Sequence, residues 1–243
     1  MRNSVIFMVS LLLVSQISAK AERFTLGFAT GYPPYQFTES GQPAGLDIEI
    51  AGVLAKEGLN FSIIQDNWDD IVAMLRNRTR VDIVGGMEIN AERQAWFDFS
   101  PALYRRRNVL FVPADDTTIR GLGDLVGKKV SGDRGSYVEN KLATMGIKDA
   151  IRLVEYGSKE ESMQALKVGK VVASIMPEAV GFYLAKRFGV RVRLVDVGDP
   201  GSPVGFAVRR GDTATLAAVD AAIRKALATR AFDSIFGKWL KQP

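Results

Sequence analysis

The sequence contains no cysteine and no histidine. Without cysteine there is no disulfide framework, no thiol nucleophile and no lipid-modified N-terminal Cys. Without histidine as well, imidazole bases are excluded and the usual zinc ligand sets cannot be assembled. A block of one-signed charge is missing too. Lys and Arg number 32 against 27 Asp and Glu, a formal charge of +5. The run Arg105-Arg106-Arg107 is the longest consecutive basic stretch. It lacks the basic stripe of a nucleic-acid binder and reads as a solvated loop, so no nucleic-acid partner is expected.

What is present suits a globular protein. The 243 residues, 47% hydrophobic and 24% charged, can bury one large or two small cores. The first residues differ from the rest. Arg2 is followed by an apolar run from Val5 to Ile17, interrupted by Ser10, Ser15 and Gln16, and then by Ala19-Lys20-Ala21. This is the pattern of a secretory signal peptide over 1–21 with small residues at the cut. The run is too short to span ~30 Å of hydrocarbon, which needs ~20 apolar residues. Losing Arg2 and Lys20 would take the formal charge from +5 to +3.

The stretch from Val81 through Gly85-Gly86-Met87-Glu88-Ile89-Asn90 to Arg93, running on to Phe97-Asp98-Phe99-Ser100, organises the remainder. Its β-branched start predicts a buried strand, ended by glycines that bare the backbone. Asn90 can cap a short helix whose first turn carries Arg93, a residue able to hold a carboxylate by two parallel hydrogen bonds. Upstream, Phe24 to Ala29 reads as a strand and Thr30 to Phe37 as an aromatic loop stiffened by Pro33 and Pro34. Leu46, Ile50, Val53 and Leu54 mark one helix face. Trp68, Ile71, Met74 and Leu75 mark another, with Asp66 or Asn67 as its cap. Asn108 to Val112 is a buried strand, and Pro113 to Asp124 is polar and turn-rich.

A weak repeat is also legible. Ala73-Met74-Leu75, a turn and then Val81 to Met87 parallel Gln164-Ala165-Leu166, a turn and then Val171 to Pro177. Each is a helix feeding a strand, so each half would carry βα units on a mostly parallel sheet.

The central stretch, the aromatic loop and the Lys238-Trp239-Leu240 ending together resemble the family 3 solute-binding proteins, periplasmic receptors for polar amino acids and related solutes. The resemblance implies an α/β, two-lobed periplasmic binding protein of type II, with mostly parallel sheets flanked by helices and a hinged cleft. Lobe one would comprise 22–111 and 204–243, and lobe two 112–203. Lobe one would bring Tyr32, Trp68, Gly85, Gly86, Glu88 and Arg93 to a ligand. Lobe two would bring Asp133, Ser136, Tyr137 and Glu178. A monomer in the periplasm is implied, handing a small polar solute to the membrane permease of an ABC importer, without cofactor, metal or chemistry of its own.

Three departures bear on the solute. Ala29 and Pro177 replace the two acidic residues that usually hold the ligand's ammonium, and Glu88 replaces a Ser or Thr that assists Arg93. A carboxylate at 4 Å from another opposes it by ~4 kcal/mol at an effective dielectric of 20, more than the roughly 1.5 to 3 kcal/mol of a charged hydrogen bond. Glu88 is therefore expected either to neutralise Arg93 or to take a cationic group, with Asp133 or Glu178 assisting. Two other readings compete. One is an enzyme similar to the cyclohexadienyl dehydratases, with Glu178 and Glu88 in acid/base roles; the other is a sensor or accessory protein.

Overall fold

The computed structural model describes residues 23–133 and 136–240; the expected leader at 1–21 lies outside them. The first sheet runs Phe61–Asp66, Phe24–Ala29, Ile83–Glu88, Ser202–Arg209, Phe97–Phe99, with Tyr104–Arg106 also paired along Ser202–Arg209. The second runs Arg152–Val154, Lys129–Ser131, Ala173–Pro177, Asn108–Pro113, Val192–Val195. In each, three strands are parallel and joined through helices, as parallel pairing requires. Their spatial order is the same in both sheets: the second strand of the unit, then the first, then the third. The repeat read from the sequence is thus a repeat of topology, with Trp68–Arg76 and Lys159–Lys167 in corresponding places.

The remaining strands are antiparallel and carry the chain between sheets. Tyr104–Arg106 belongs to the first sheet and Asn108–Pro113 to the second, so the passage falls at Arg107, a few residues before the expected boundary at 111. The chain comes back between Val192–Val195 and Ser202–Arg209. The tail helices Thr213–Ala228 and Asp233–Trp239 pack on Leu46–Lys56 of the first lobe.

Local sequence accounts for the elements. Leu46, Ile50 and Leu54 recur at helical spacing and are buried in Leu46–Lys56. Asn67, Ser136 and Ser158 each accept a backbone N–H at a helix start, and Gly189 ends Glu178–Phe188 in the left-handed conformation. The aromatic segment forms more than a loop. Gly31–Tyr32, Gln36–Glu39 and Gln42–Ala44 make a small separate antiparallel sheet. It is anchored where the Gln36 side chain accepts from Ala29 N at 2.5 Å and donates to Gly85 O at 3.3 Å.

The paired glycines require a correction. They were expected to bare the backbone to a ligand, but the space beside them is filled from within. A Cβ on Gly85 would stand 2.1 Å from Cε1 of the fully buried Phe28. One on Gly86, whose φ is +67, would stand 2.0 Å from Asp47 Oδ2. Both positions are small because the core and a buried carboxylate occupy the space. We predict that Gly85→Ala lowers unfolding stability of the ligand-free protein by ~1–3 kcal/mol, measured as a reduced urea midpoint. Unchanged stability with lost solute binding would restore the backbone-contact reading.

Candidate functional site

The C-terminal ends of the parallel strands in the first sheet open into a cleft of ≈ 410 Å³, lined by Ala29, Tyr32, Gln36, Asn67, Trp68, Glu88, Arg93 and Arg106 among others. Open α/β sheets commonly bind ligands at this place. Glu88 is the last residue of its strand, opposite Val204. Asn90 Oδ1 then accepts from Arg93 N at 2.9 Å, starting the helix Ala91–Gln94. The Arg93 side chain turns back, and its Nη1 donates to Glu88 O at 3.0 Å. Its guanidinium carbon is 5.5 Å from the centre of the Trp68 ring, which lies at the head of its own helix. Burial lowers the proton affinity of Arg93 and the Glu88 charge opposes that shift, leaving a cation at neutral pH.

The floor is built on an ion pair that the sequence reading missed. Arg106, 6% exposed, donates from Nη2 to Asp47 Oδ2 at 3.2 Å and to the Tyr104 hydroxyl at 2.7 Å. The Tyr104 hydroxyl donates to Asp47 Oδ1 at 2.6 Å, and Gln36 Nε2 to Asp47 Oδ2 at 2.9 Å. The guanidinium carbon lies 4.2 Å from the Tyr35 ring centre and 5.2 Å from that of Tyr32, and these two rings stack at 5.4 Å. Burial pushes the Asp47 carboxyl upward, while Arg106, Tyr104 and Gln36 pull it back. Every group around it donates, so the ionised form fits the geometry. Burial disfavours charge on Arg106 as well, but the phenols and carboxylate around it hold its proton more firmly than in water. The expected solvated loop at Arg105 to Arg107 is therefore overturned for this residue. Its neighbours are engaged too: Arg105 Nε donates to Pro200 O at 2.9 Å, and Arg107 pairs with Glu178 and Asp196.

Of the site residues expected in lobe one, Tyr32, Trp68, Glu88 and Arg93 are brought together, whereas Gly85 and Gly86 are packed beneath. Those expected in lobe two are engaged elsewhere. Asp133 pairs with Lys159, Ser136 caps the helix Tyr137–Thr144, and the Tyr137 hydroxyl donates to Gly198 O at 2.9 Å. Glu178, held by Arg107, lines a separate cavity with Pro34, Tyr183 and Trp239. Their side chains meet charges and carbonyls of their own lobe or the crossing segments. Ala29 lines the cleft with a methyl group and brings no charge.

Comparison with known proteins shows the family and the fold. Residues 24–242 match the model of the bacterial extracellular solute-binding proteins, family 3. The L-cystine-binding protein TcyJ of Escherichia coli (strain K12) is 28% identical over 224 residues, covering 90% of this chain and 83% of that protein. An L-arginine-binding protein of Pseudomonas aeruginosa is 28% identical, with 88% and 86% covered. An ancestral arginine-binding protein bound to arginine superimposes with a TM-score of 0.74 at 28% identity, over 90% of this chain and 98% of that one.

The floor makes a spectroscopic prediction. Burial first, with Glu88 and Asp133 adding to it against Arg106, pushes the Tyr32 phenol from 10.0 up to about 12. Burial likewise raises Tyr35 and Tyr104. Because the folded value exceeds the unfolded one, Tyr32 contributes stability that is complete below pH ~10 and lost as pH climbs through about 12. Tyrosinate absorbance should therefore leave at least three of the six phenols un-ionised in the native protein at pH ~10.5, with the rest of the change arriving on alkaline unfolding.

Proposed function

The chain belongs to the bacterial extracellular solute-binding proteins of family 3, and from that premise we propose that its cleft captures a small polar solute, an amino acid or related compound, for an ABC importer. The observation that carries this reading is Arg93. It lines the cleft, is half-buried beside Trp68, and spends one guanidinium hydrogen bond on the Glu88 carbonyl. The rest of its planar fork is left for a carboxylate, the arrangement in which bidentate binding is strong. The ligands for which these relatives are named, cystine and arginine, are amino acids and support the same solute class.

The family is extracellular by description; residence in the periplasm rests on reading 1–21 as a leader. A membrane permease is the partner that the importer reading implies, with the protein acting as a monomer. No catalytic step is proposed. The dehydratase reading has thinner support, since Glu178 is drawn to Arg107 in another cavity and Glu88 would have to move protons alone.

Thermal shift and calorimetry of the purified mature protein against the common amino acids test the proposal. A true solute at 100 times its dissociation constant adds ~2.7 kcal/mol to the unfolding free energy. Arg93→Ala should weaken binding by roughly 30-fold or more while the ligand-free protein melts as before. If no solute binds, or Arg93→Ala binds as tightly as the parent, the receptor reading fails.

A further inference from the structure

Several carboxylates near the cleft and the segments that cross between the sheets already have a cation. Asp47 is paired with Arg106, Asp133 with Lys159 and Glu178 with Arg107. Glu88 differs. It lines the cleft, half-buried, and its carboxylate makes no ion pair or hydrogen bond among the described residues. Arg93 lies five residues further on but addresses the Glu88 backbone carbonyl at 3.0 Å, not the carboxylate. The expectation that Glu88 neutralises Arg93 holds only at a distance: the Glu88 charge acts on Arg93, but the two side chains form no direct ion pair.

A half-buried carboxylate whose oxygens meet no cation directly keeps room for one, and a ligand that brings that cation into contact is favoured. The groups near Glu88 suit that cation. Tyr32 and Trp68 line the same wall, and ring faces attract guanidinium and ammonium groups. Asn67 lines it too, its side chain held in place by Asp70 as the helix cap. The other guanidinium in the lining, Arg106, is paired with Asp47, which offsets part of its repulsion of a cation.

Resting on the reading of this cleft as a solute site, we infer that Glu88 selects solutes that carry, besides the carboxylate held by Arg93, a positively charged side chain, guanidinium or alkylammonium, seated against Glu88 and the rings of Tyr32 and Trp68. The cleft's ≈ 410 Å³ lies in the range of small-molecule sites, large enough for an extended solute with charges at both ends. Glu88 is then a specificity-determining residue, separate in role from Arg93.

Calorimetric titration with L-arginine and with L-citrulline, its uncharged near-isostere, isolates this effect. The parent protein should bind arginine at least about 30-fold more tightly than citrulline. In Glu88→Gln the ratio should fall to within a few-fold, through loss of arginine affinity, and Glu88→Asp, which keeps the charge, should retain part of the preference. Equal parent affinities for the two probes, a ratio unchanged in Glu88→Gln, or binding of neither probe would each overturn the inference. These results are distinct from failure of the receptor reading: a parent that binds another amino acid in an Arg93-dependent way keeps that reading and loses only the cation selectivity. Melting curves of both variants without ligand identify any loss of folding, and Glu88→Asp then decides the case.

Discussion

The burial of Arg106 against Asp47 fixes the floor of the cleft. Removing two ions from water costs several kcal/mol each, and their attraction offsets this only when the geometry is good and the remaining polar atoms are satisfied. Here Tyr104 and Gln36 complete the carboxylate and Tyr35 presents its ring to the guanidinium, while the buried Nε of Arg106 has no hydrogen-bond partner among the described residues. The participants come from separate elements: Asp47 from the first turn of Leu46–Lys56, Gln36 from the small aromatic sheet and Tyr35 from the turn just before it, Tyr104 and Arg106 from the strand that leaves the first sheet. One polar cluster thus sets the relative positions of a helix, a hairpin and the exit of the chain. Tyr32, stacked on Tyr35, has its place in the cleft set by the same cluster.

The three consecutive arginines show how strand alternation divides one charge run into separate duties. In Tyr104–Arg106 successive side chains take opposite faces, so Tyr104 and Arg106 point into the cluster and Arg105 points away. Arg105 is taken up by the carbonyls of Pro200 and Gly201 in the returning segment. Arg107, where the chain changes sheet, joins Glu178 of the second lobe to Asp196 of the return, and Asn108 N donates to Asp199 Oδ2 at 2.8 Å. The two passages between the sheets are therefore bound to each other by polar ties.

Much of the scaffold was legible because it is written in local patterns. Helical spacing at Leu46, Ile50 and Leu54, the caps at Asn67 and Asn90, and the repeat of helix into strand all depend on residues close in sequence. So did the wall of the cleft, where Glu88 and Arg93 sit at the end of one strand and the start of the next helix. What escaped is long-range. Asp47 and Arg106 are 59 positions apart, and in a linear reading each resembles an ordinary surface charge. The available signal was Tyr104-x-Arg106 at strand spacing just before a buried strand, which places a phenol and a guanidinium on one face. Gly85 and Gly86 were misread for the same reason: a missing Cβ says that something lies close, and Phe28 and Asp47 rather than a solute occupy that space. Asp133, Ser136, Tyr137 and Glu178 have polar side chains whose partners, in this arrangement, lie in the surrounding protein.

These contacts bear on how the cleft reads charge. A second arginine in a small cavity would ordinarily bias it toward anions, since two guanidinium groups near one ligand add their fields. Asp47 reduces that bias, because a carboxylate in contact with Arg106 offsets part of its field, though Arg106 still disfavours the charge on Arg93. The balance on the wall then passes to Arg93 and Glu88, opposite in sign and held five residues apart by a strand end and a capped turn. Their spacing is set by backbone hydrogen bonds, not by mutual pairing, since Arg93 is tied to the Glu88 carbonyl. Had the side chains closed on each other, the wall would present one neutral surface and discriminate by shape alone. Kept separate, they give it two poles, and a solute must match the sign and position of both.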